Sequence, residues 1–377
     1  MLATLSPRIA ACFVDLVDPR VARTRRHDLL DIVTLALCAV LAGAESWGEV
    51  EEWGQIKLAW LRTWLGLPNG IPSHDTFGRV FSRLDPGQLE IGVLRWGQML
   101  AAGAPATGGV IAVDGKTVRA ARAPQGSALH VVSAWASATR LVVGQEAVDA
   151  KSNEITAIPE LLSRLDLTGQ VVTIDAIGCQ TAIAAQIVAQ GGDYVLALKA
   201  NHADLLTNVR DSFALADATT LGQIRTAEKG HGRIEVRTCR TITDPATLGW
   251  LDPAASWANL RCIAEVVGER RIDGERTTHT RYYLSSLPGD AAAIAKAVRS
   301  HWGIENQVHW VLDVAFREDA SRARIGHSAT NLALIRKLVL NLLRADPTRT
   351  IGVKGSRLKA GWANAYLLHV LGVPSSH

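Results

Sequence analysis

Three acidic residues stand where a carboxylate is hard to account for unless it binds something. Asp114 ends the apolar run Val110-Ile111-Ala112-Val113. Asp175 ends Val171-Val172-Thr173-Ile174. Glu305 follows His301-Trp302-Gly303-Ile304 in a stretch of helical character. Three carboxylates brought together resist joint ionisation, because like charges at close range disfavour one another's charged form. A divalent cation removes that cost. Magnesium takes hard oxygen ligands and keeps several waters, so two or three carboxylates suffice. Two such ions roughly 4 Å apart activate an attacking oxygen and stabilise the leaving one, which is the chemistry of cutting and joining phosphodiesters. In that arrangement Asp114 bridges both ions, and Asp175 and Glu305 each hold one. Each acid also has a plainer reading. Asp114-Gly115 is a common turn dipeptide, and a helical glutamate is ordinarily solvated. Asp313, Glu318 and Asp319 compete with Glu305. Asp313, eight residues on, falls on a similar helical face and could replace it.

The elements that must position these acids can be read from hydrophobic periodicity. Buried strands are predicted over 110–113, 129–136, 141–148, 171–174 and 194–198. Helices are predicted over 154–165 and 181–190. The order β-β-β-α-β-α-β describes a mixed sheet flanked by helices, with Asp114 capping the first strand and Asp175 the fourth. Ligands of open α/β sheets bind at the carboxyl ends of strands, so both aspartates stand on a favourable rim. Small residues over 104–109 read as a linker, and the chain before them reads as helical. It holds a buried helix over 29–44, a second over 47–65, a third that Ser73 caps, and a fourth after Asp85-Pro86. Trp53, Trp60 and Trp64 share one helical face, which reads as a core stripe more readily than as a base-stacking platform. Residues 217–290 are β-rich and polar, with strands over 233–243, 260–269 and 277–286 and a hairpin tip over 268–274. Helical sequence resumes at Ala291, so this segment reads as an insertion. A last helix is predicted over 328–344. The expected divisions are 1–104, 105–216, 217–290 and 291–377.

The 377 residues, 48% hydrophobic and 20% charged, describe an ordinary globular chain of about two domains. A net charge of +4 does not by itself indicate a nucleic-acid partner. The placement of the cations says more. Arg20, Arg23, Arg25 and Arg26 cluster early, and Arg317, Arg322, Arg324, Arg336, Lys337 and Arg344 follow Glu305. Lys354, Arg357 and Lys359 lie near the end. Such clusters suit phosphate contacts or a solvated face. Cys12, Cys38, Cys179, Cys239 and Cys262 have no zinc-ligand spacing, which points to free thiols in a reducing cytosol. The apolar stretch 29–44 contains Asp31 and falls short of the roughly 20 residues of a membrane span.

These residues resemble the DDE-type transposases of bacterial insertion sequences, most closely the H-repeat-associated branch. The resemblance is carried by Pro72-Ser73-His74-Asp75-Thr76-Phe77-Gly78-Arg79-Val80-Phe81, Ala112-Val113-Asp114-Gly115-Lys116, Thr173-Ile174-Asp175-Ala176 and Leu198-Lys199-Ala200-Asn201. Its most specific part is His301-Trp302-Gly303-Ile304-Glu305-Asn306 with Leu312-Asp313-Val314 and Phe316-Arg317-Glu318-Asp319. The likeness implies an α/β fold: an RNase H-like mixed sheet with an all-helical N-terminal domain and a β-rich insertion before the glutamate. It implies Asp114, Asp175 and Glu305 as catalytic acids holding two Mg²⁺ ions, with Mn²⁺ as an alternative. It implies strand cleavage and transfer at terminal inverted repeats, double-stranded DNA as transposon end and target, a dimer on DNA, and a cytoplasmic, nucleoid-associated protein. Lys116, Lys199, Asn201, Arg299, His301, Arg317, Arg322 and Arg324 make up the expected DNA-binding set. Related elements carry a tyrosine, an arginine and a lysine around the glutamate where this chain has Val298, His301 and Leu312. The phosphate contacts of this helix therefore fall to His301, Arg299 and Arg317. His202 stands where a glutamine often follows Lys-Ala-Asn, and Trp250 or Trp257 is a candidate to stack on a displaced base. A hydrolytic nuclease on the same core and a non-catalytic relic are the competing readings.

Overall fold

The computed structural model describes residues 7–101, 108–122, 128–148, 153–230, 232–273 and 275–373. Helices begin where the sequence supplies caps. After α1 (Pro7–Cys12), Asp28 opens α2 (Leu29–Leu41) by accepting from the amides of Leu30 and Asp31. Ser46 opens α3 (Trp47–Leu61) and Ser73 opens α4 (His74–Arg83) through the amides of Glu49 and Thr76. Pro86 starts α5 (Pro86–Ala101), where a missing N–H costs nothing. Trp64 is buried, and Trp53 and Trp60 pack partly buried against the same core, so the tryptophan stripe is a core stripe. Most of the small-residue linker lies outside the described residues.

The central strands are β1 (Val110–Arg122), β2 (Ala128–Ala136), β3 (Leu141–Val148), β4 (Val171–Ile174) and β5 (Asp193–Leu198). They are followed by β6 (Gly222–Gly230), β7 (Arg233–Ile242), β8 (Cys262–Ile272) and β9 (Glu275–Ser285). All join one sheet in the order β3-β2-β1-β4-β5-β9-β8-β7-β6. β1 is antiparallel to β2 and parallel to β4, and β4 is parallel to β5. Three antiparallel strands followed by two parallel ones form the RNase H-like core. The β-rich segment does not stand apart from it, because β9 pairs antiparallel with β5 and extends the same sheet. β6 escapes sequence reading: Gly-Gln-Ile-Arg-Thr-Ala-Glu-Lys-Gly is polar on both faces and mostly exposed, so it shows no alternation. The hairpin tip is narrower than expected, since Gly268 pairs within β8 and the turn comes after Ile272.

One sheet face is covered by α6 (Glu154–Ser163), α7 (Thr181–Ala189), α8 (Ala203–Leu215) and α9 (Pro245–Leu251), which bury Val113, Ile174 and Leu196. The opposite face carries α10 (Ala291–Gly303) across the sheet over Val110, Val195 and Cys262. The chain then runs through a π-helical segment, Ile304–His309, into α11 (Trp310–Phe316). α12 (Ser328–Ala345), α13 (Val353–Trp362) and α14 (Asn364–Leu371) complete the fold. α12 is buried almost all round, and its apolar residues share one core with α1–α5 and with Ala112, Trp135 and Val142 of the sheet. Cys38, Cys179, Cys239 and Cys262 are buried free thiols, as expected. Among the described residues, no helix is long and apolar enough to cross a membrane.

Candidate active site

Strand pleating aims the two aspartates at the same side. Side chains alternate across a sheet, so Val113 and Ile174 point into the α6–α7 core while their successors point away from it. Val113 and Ile174 form the last parallel pair between β1 and β4, which makes Asp114 and Asp175 neighbours at the next step. The expectation that Asp114 caps its strand is corrected. β1 runs on to Arg122, with Asp114 opposite Ser133 and Gly115 opposite Val132 of β2. Only the pairing with β4 stops beside Asp114. Asp114-Gly115 is therefore no turn. The glycine leaves room for the His130–Glu154 pair, since a Cβ there would lie 2.2 Å from Glu154 Oε1. Asp175 does end its strand. Its carboxylate accepts from Ile177 N at 3.0 Å and caps the short turn Ala176–Gly178.

The third acid arrives from above. α10 approaches the sheet closely enough that a Cβ on Gly303 would lie 2.3 Å from the Trp135 ring. The backbone then widens into the π-helical segment, a rare geometry that recurs at functional sites. Ile304 and Val308 anchor its inner side. Glu305 and His309 reach Asp114, and one ligand atom from each of the three lies within 4.8 Å of the others. Asp114, Asp175, Glu305, His301, Lys199 and Trp302 line one cleft of about 330 Å³.

His309 was not singled out from the sequence. It is 4% exposed, and its Nε2 lies 3.3 Å from Asp114 Oδ2. Neither ring nitrogen makes a hydrogen bond among the described residues. Its spacing of four from Glu305 was the available signal. Asp313 is not in the group that Asp114, Glu305 and His309 form. Its carboxylate pairs with Lys116, which also donates to Glu318 at 2.8 Å.

The expected DNA contacts divide. Lys116 is 12% exposed and committed to Asp313 and Glu318, so it braces α11 against β1 and is not free for phosphate. His301 shares a hydrogen bond with Thr173 Oγ1 at 3.1 Å. Burial holds its imidazole below the usual range although Asp114 and Asp175 pull it upward. Asn201 donates to Ala176 O, and His202 bonds to Cys179 O, so both secure the turn that follows Asp175. Lys199 is exposed and 3.9 Å from Asp175. Arg299 and Arg317 are exposed and pair with Glu228 and Glu45. Arg322 and Arg324 are exposed, and Arg324 donates to Ala120 O.

The basic run after Glu305 is not one DNA-facing patch. Arg336, Lys337 and Arg357 are buried, because α12 and α13 pack into the core and carry them inward. Arg357 donates to Val40 O, Ala44 O and Ala315 O, tying together the ends of α2 and α11. Arg20 is likewise buried against Asp18. Trp257 is buried against His202, which removes it as a base-stacking candidate, while Trp250 is exposed. Trp302 is the aromatic at the cleft. It is partly exposed, with the Arg281 guanidinium 4.6 Å from its ring centre.

Asp114, Glu305 and His309 fit a divalent metal, and Asp175 lines the same cleft. Comparison with known proteins agrees with this chemistry. Residues 105–342 match the family model described as Transposase DDE domain, and residues 10–97 match one described as DDE_Tnp_1-associated. The chain is 39% identical over 353 residues to "Putative transposase YncI" of Escherichia coli O157:H7, covering 92% of this chain and 90% of that one. It is 38% identical over 355 residues to "H repeat-associated putative transposase YhhI" of Escherichia coli strain K12, covering 92% of each. It is 45% identical over 294 residues to an uncharacterized protein in the dhlA 3′ region of Xanthobacter autotrophicus, covering 76% of this chain and 97% of that one.

Proposed function

The chain belongs to the transposase family that carries the DDE domain, and from that premise we propose that it cuts DNA at the terminal inverted repeats of an insertion element and joins the freed ends to target DNA. Asp114, Asp175 and Glu305 are the catalytic acids of this reading, and they hold two Mg²⁺ or Mn²⁺ ions. Bound there, such ions would supply Lewis-acid stabilisation of the charge that develops during displacement at phosphorus. Water is the first nucleophile and leaves a 3′ hydroxyl at the element's end. That hydroxyl is the second nucleophile: it attacks a phosphodiester of the target, forms a new P–O bond and displaces the target strand's 3′ oxygen as a hydroxyl. The protein's own contribution is position. β1 and β4 hold Asp114 and Asp175 on a rigid rim, and the π-helical segment brings Glu305 over it. In this reading Lys199, exposed beside Asp175, meets the scissile phosphate, and the exposed Arg299, Arg317, Arg322 and Arg324 meet flanking phosphates. Two ends must be processed, which suits a dimer on DNA.

The observation that carries this reading is the convergence of Asp114 and Glu305, 191 residues apart in the chain, in the cleft that also holds Asp175. The test is a nicking and joining assay on a duplex bearing the element's end. The wild-type protein should nick it only with Mg²⁺ or Mn²⁺ present. Asp114→Ala and Glu305→Ala should lose about 10³-fold or more of the rate while still binding the duplex, since a positioned metal can supply several kcal/mol of transition-state stabilisation. Cutting that survives both substitutions would remove these acids from the reaction.

A further inference from the structure

We propose that His309 is itself a metal ligand, through Nε2, so that one ion is held by Asp114, Glu305 and an imidazole. The inference rests on the reading of Asp114 and Glu305 as metal-binding acids. It adds a nitrogen donor to a site otherwise built of carboxylates.

Three observations carry it. His309 is 4% exposed, and both its ring nitrogens are buried without a hydrogen-bond partner among the described residues. Leaving a buried polar atom unpaired costs about 1–3 kcal/mol, so native proteins rarely do it without a reason. Secondly, Nε2 stands 3.3 Å from Asp114 Oδ2, yet the pair forms no hydrogen bond of acceptable geometry. Adjacent ligands on an octahedral ion with bonds of about 2.1 Å lie about 3 Å apart. The separation therefore suits two donors sharing one cation. Thirdly, Glu305 supplies another ligand atom within 4.8 Å of both. It is carried on the same π-helical segment four residues earlier. That spacing turns both side chains toward β1 while Ile304 and Val308 stay in the core.

A hydrogen bond from Nε2 to Asp114 is the other use of this geometry, and it leaves Nδ1 unmet just as ligation does. The contact does not meet hydrogen-bond geometry, and Glu305 brings a further donor atom to the same point. Metal ligation is the arrangement that uses all three groups. It also carries a chemical consequence. An imidazole nitrogen binds first-row transition ions, even Mn²⁺ at the weak end of the series, better than it binds Mg²⁺, so the site should favour Mn²⁺ over Mg²⁺ more than an all-carboxylate site would.

Pulsed EPR of the full-length protein loaded with Mn²⁺ tests this without relying on activity. Nitrogen modulation from a directly bound imidazole should appear in the wild-type protein and in His301→Asn, and vanish in His309→Asn. Mn²⁺ affinity should fall about tenfold or more in His309→Asn, at least the size of effect seen on removing an outer-shell partner. Mg²⁺ affinity should fall less. If His309→Asn does not fold, the wild-type and His301→Asn spectra decide: modulation lost in His301→Asn overturns the proposal. If Mn²⁺ binds the wild type without nitrogen modulation and is lost in Asp114→Asn, His309 is no ligand although the acids are. Unchanged Mn²⁺ binding in Asp114→Asn overturns the reading of the acids, and the proposal with it.

Discussion

Lys337 shows how much a single residue's setting can depart from its sequence context. It sits in a run of cations, yet its ammonium is buried and donates to Ser133 and Gln145. Burial drags its pKa down to about 8, against the pull of Glu318. Glu318 itself is buried, which would raise its carboxyl, but Lys116, Lys337 and Arg336 outweigh this and hold it below the usual range. The sign of the Lys337 effect follows from linkage. Between pH 8 and the unfolded value of about 10.5, the unfolded chain binds more protons, so this residue's contribution to stability rises with pH. The stability of wild type relative to Lys337→Met should therefore increase across that window, by at most about 1.4 kcal/mol per pH unit. Denaturant melts of both proteins at pH 7.5, 9 and 10 measure the difference. A flat difference would mean that the ammonium is not desolvated in the folded state.

At the scale of elements, the passage from α10 into the π-helical segment sets the site. Gly303 lets that helix touch the Trp135 ring, and the wider turn that follows aims Glu305 and His309 together. In an open helix, Gly→Ala stabilises by about 1 kcal/mol. Here the added methyl meets a buried indole, and overpacking of this kind typically costs about 1–3 kcal/mol. Gly303→Ala should therefore be destabilising in a thermal melt, the opposite sign to the ordinary helical case. Because Trp135 or the helix must shift, metal-dependent nicking should fall more steeply than stability does. A stabilised, fully active Gly303→Ala protein would show that the helix has slack at this point.

Across the whole molecule, α1–α5 and α12–α14 are one packed body. α12 lies against α2, α4, α5 and β3, and its apolar residues share a core with Phe77, Phe81 and Trp96. Polar links run the same way. Asn331 donates to Phe81 O and Leu84 O, and Asn341 exchanges two hydrogen bonds with the backbone of Val142. Cutting away the N-terminal helices would expose this core. A fragment beginning at Gly108 should lose cooperative unfolding by tryptophan fluorescence, while the full chain melts in one transition. A fragment that melts as sharply as the full chain would make the N-terminal helices a detachable module.

Sequence alone determined the order β-β-β-α-β-α-β, because each central strand is a buried apolar run and burial writes itself as composition. It also determined Asp175 as a strand end, and Ser73 as a cap, because both depend on immediate neighbours. Asp114 was found for a partly mistaken reason: the apolar run stops there, but the hydrogen-bonded strand does not. β6 and the joining of β9 to β5 were not legible, because an exposed polar strand gains its register from partners far along the chain. Exposure of the cations was equally illegible. Arg336, Lys337 and Arg357 are basic in any alphabet, and only the packing of α12 and α13 turned them inward. His309 is the clearest case. Its spacing of four from Glu305 is a weak signal that gains meaning only when the sheet brings Asp114 to within 3.3 Å of it. The nature of a site's side chains is local, but their convergence is a property of the packed fold.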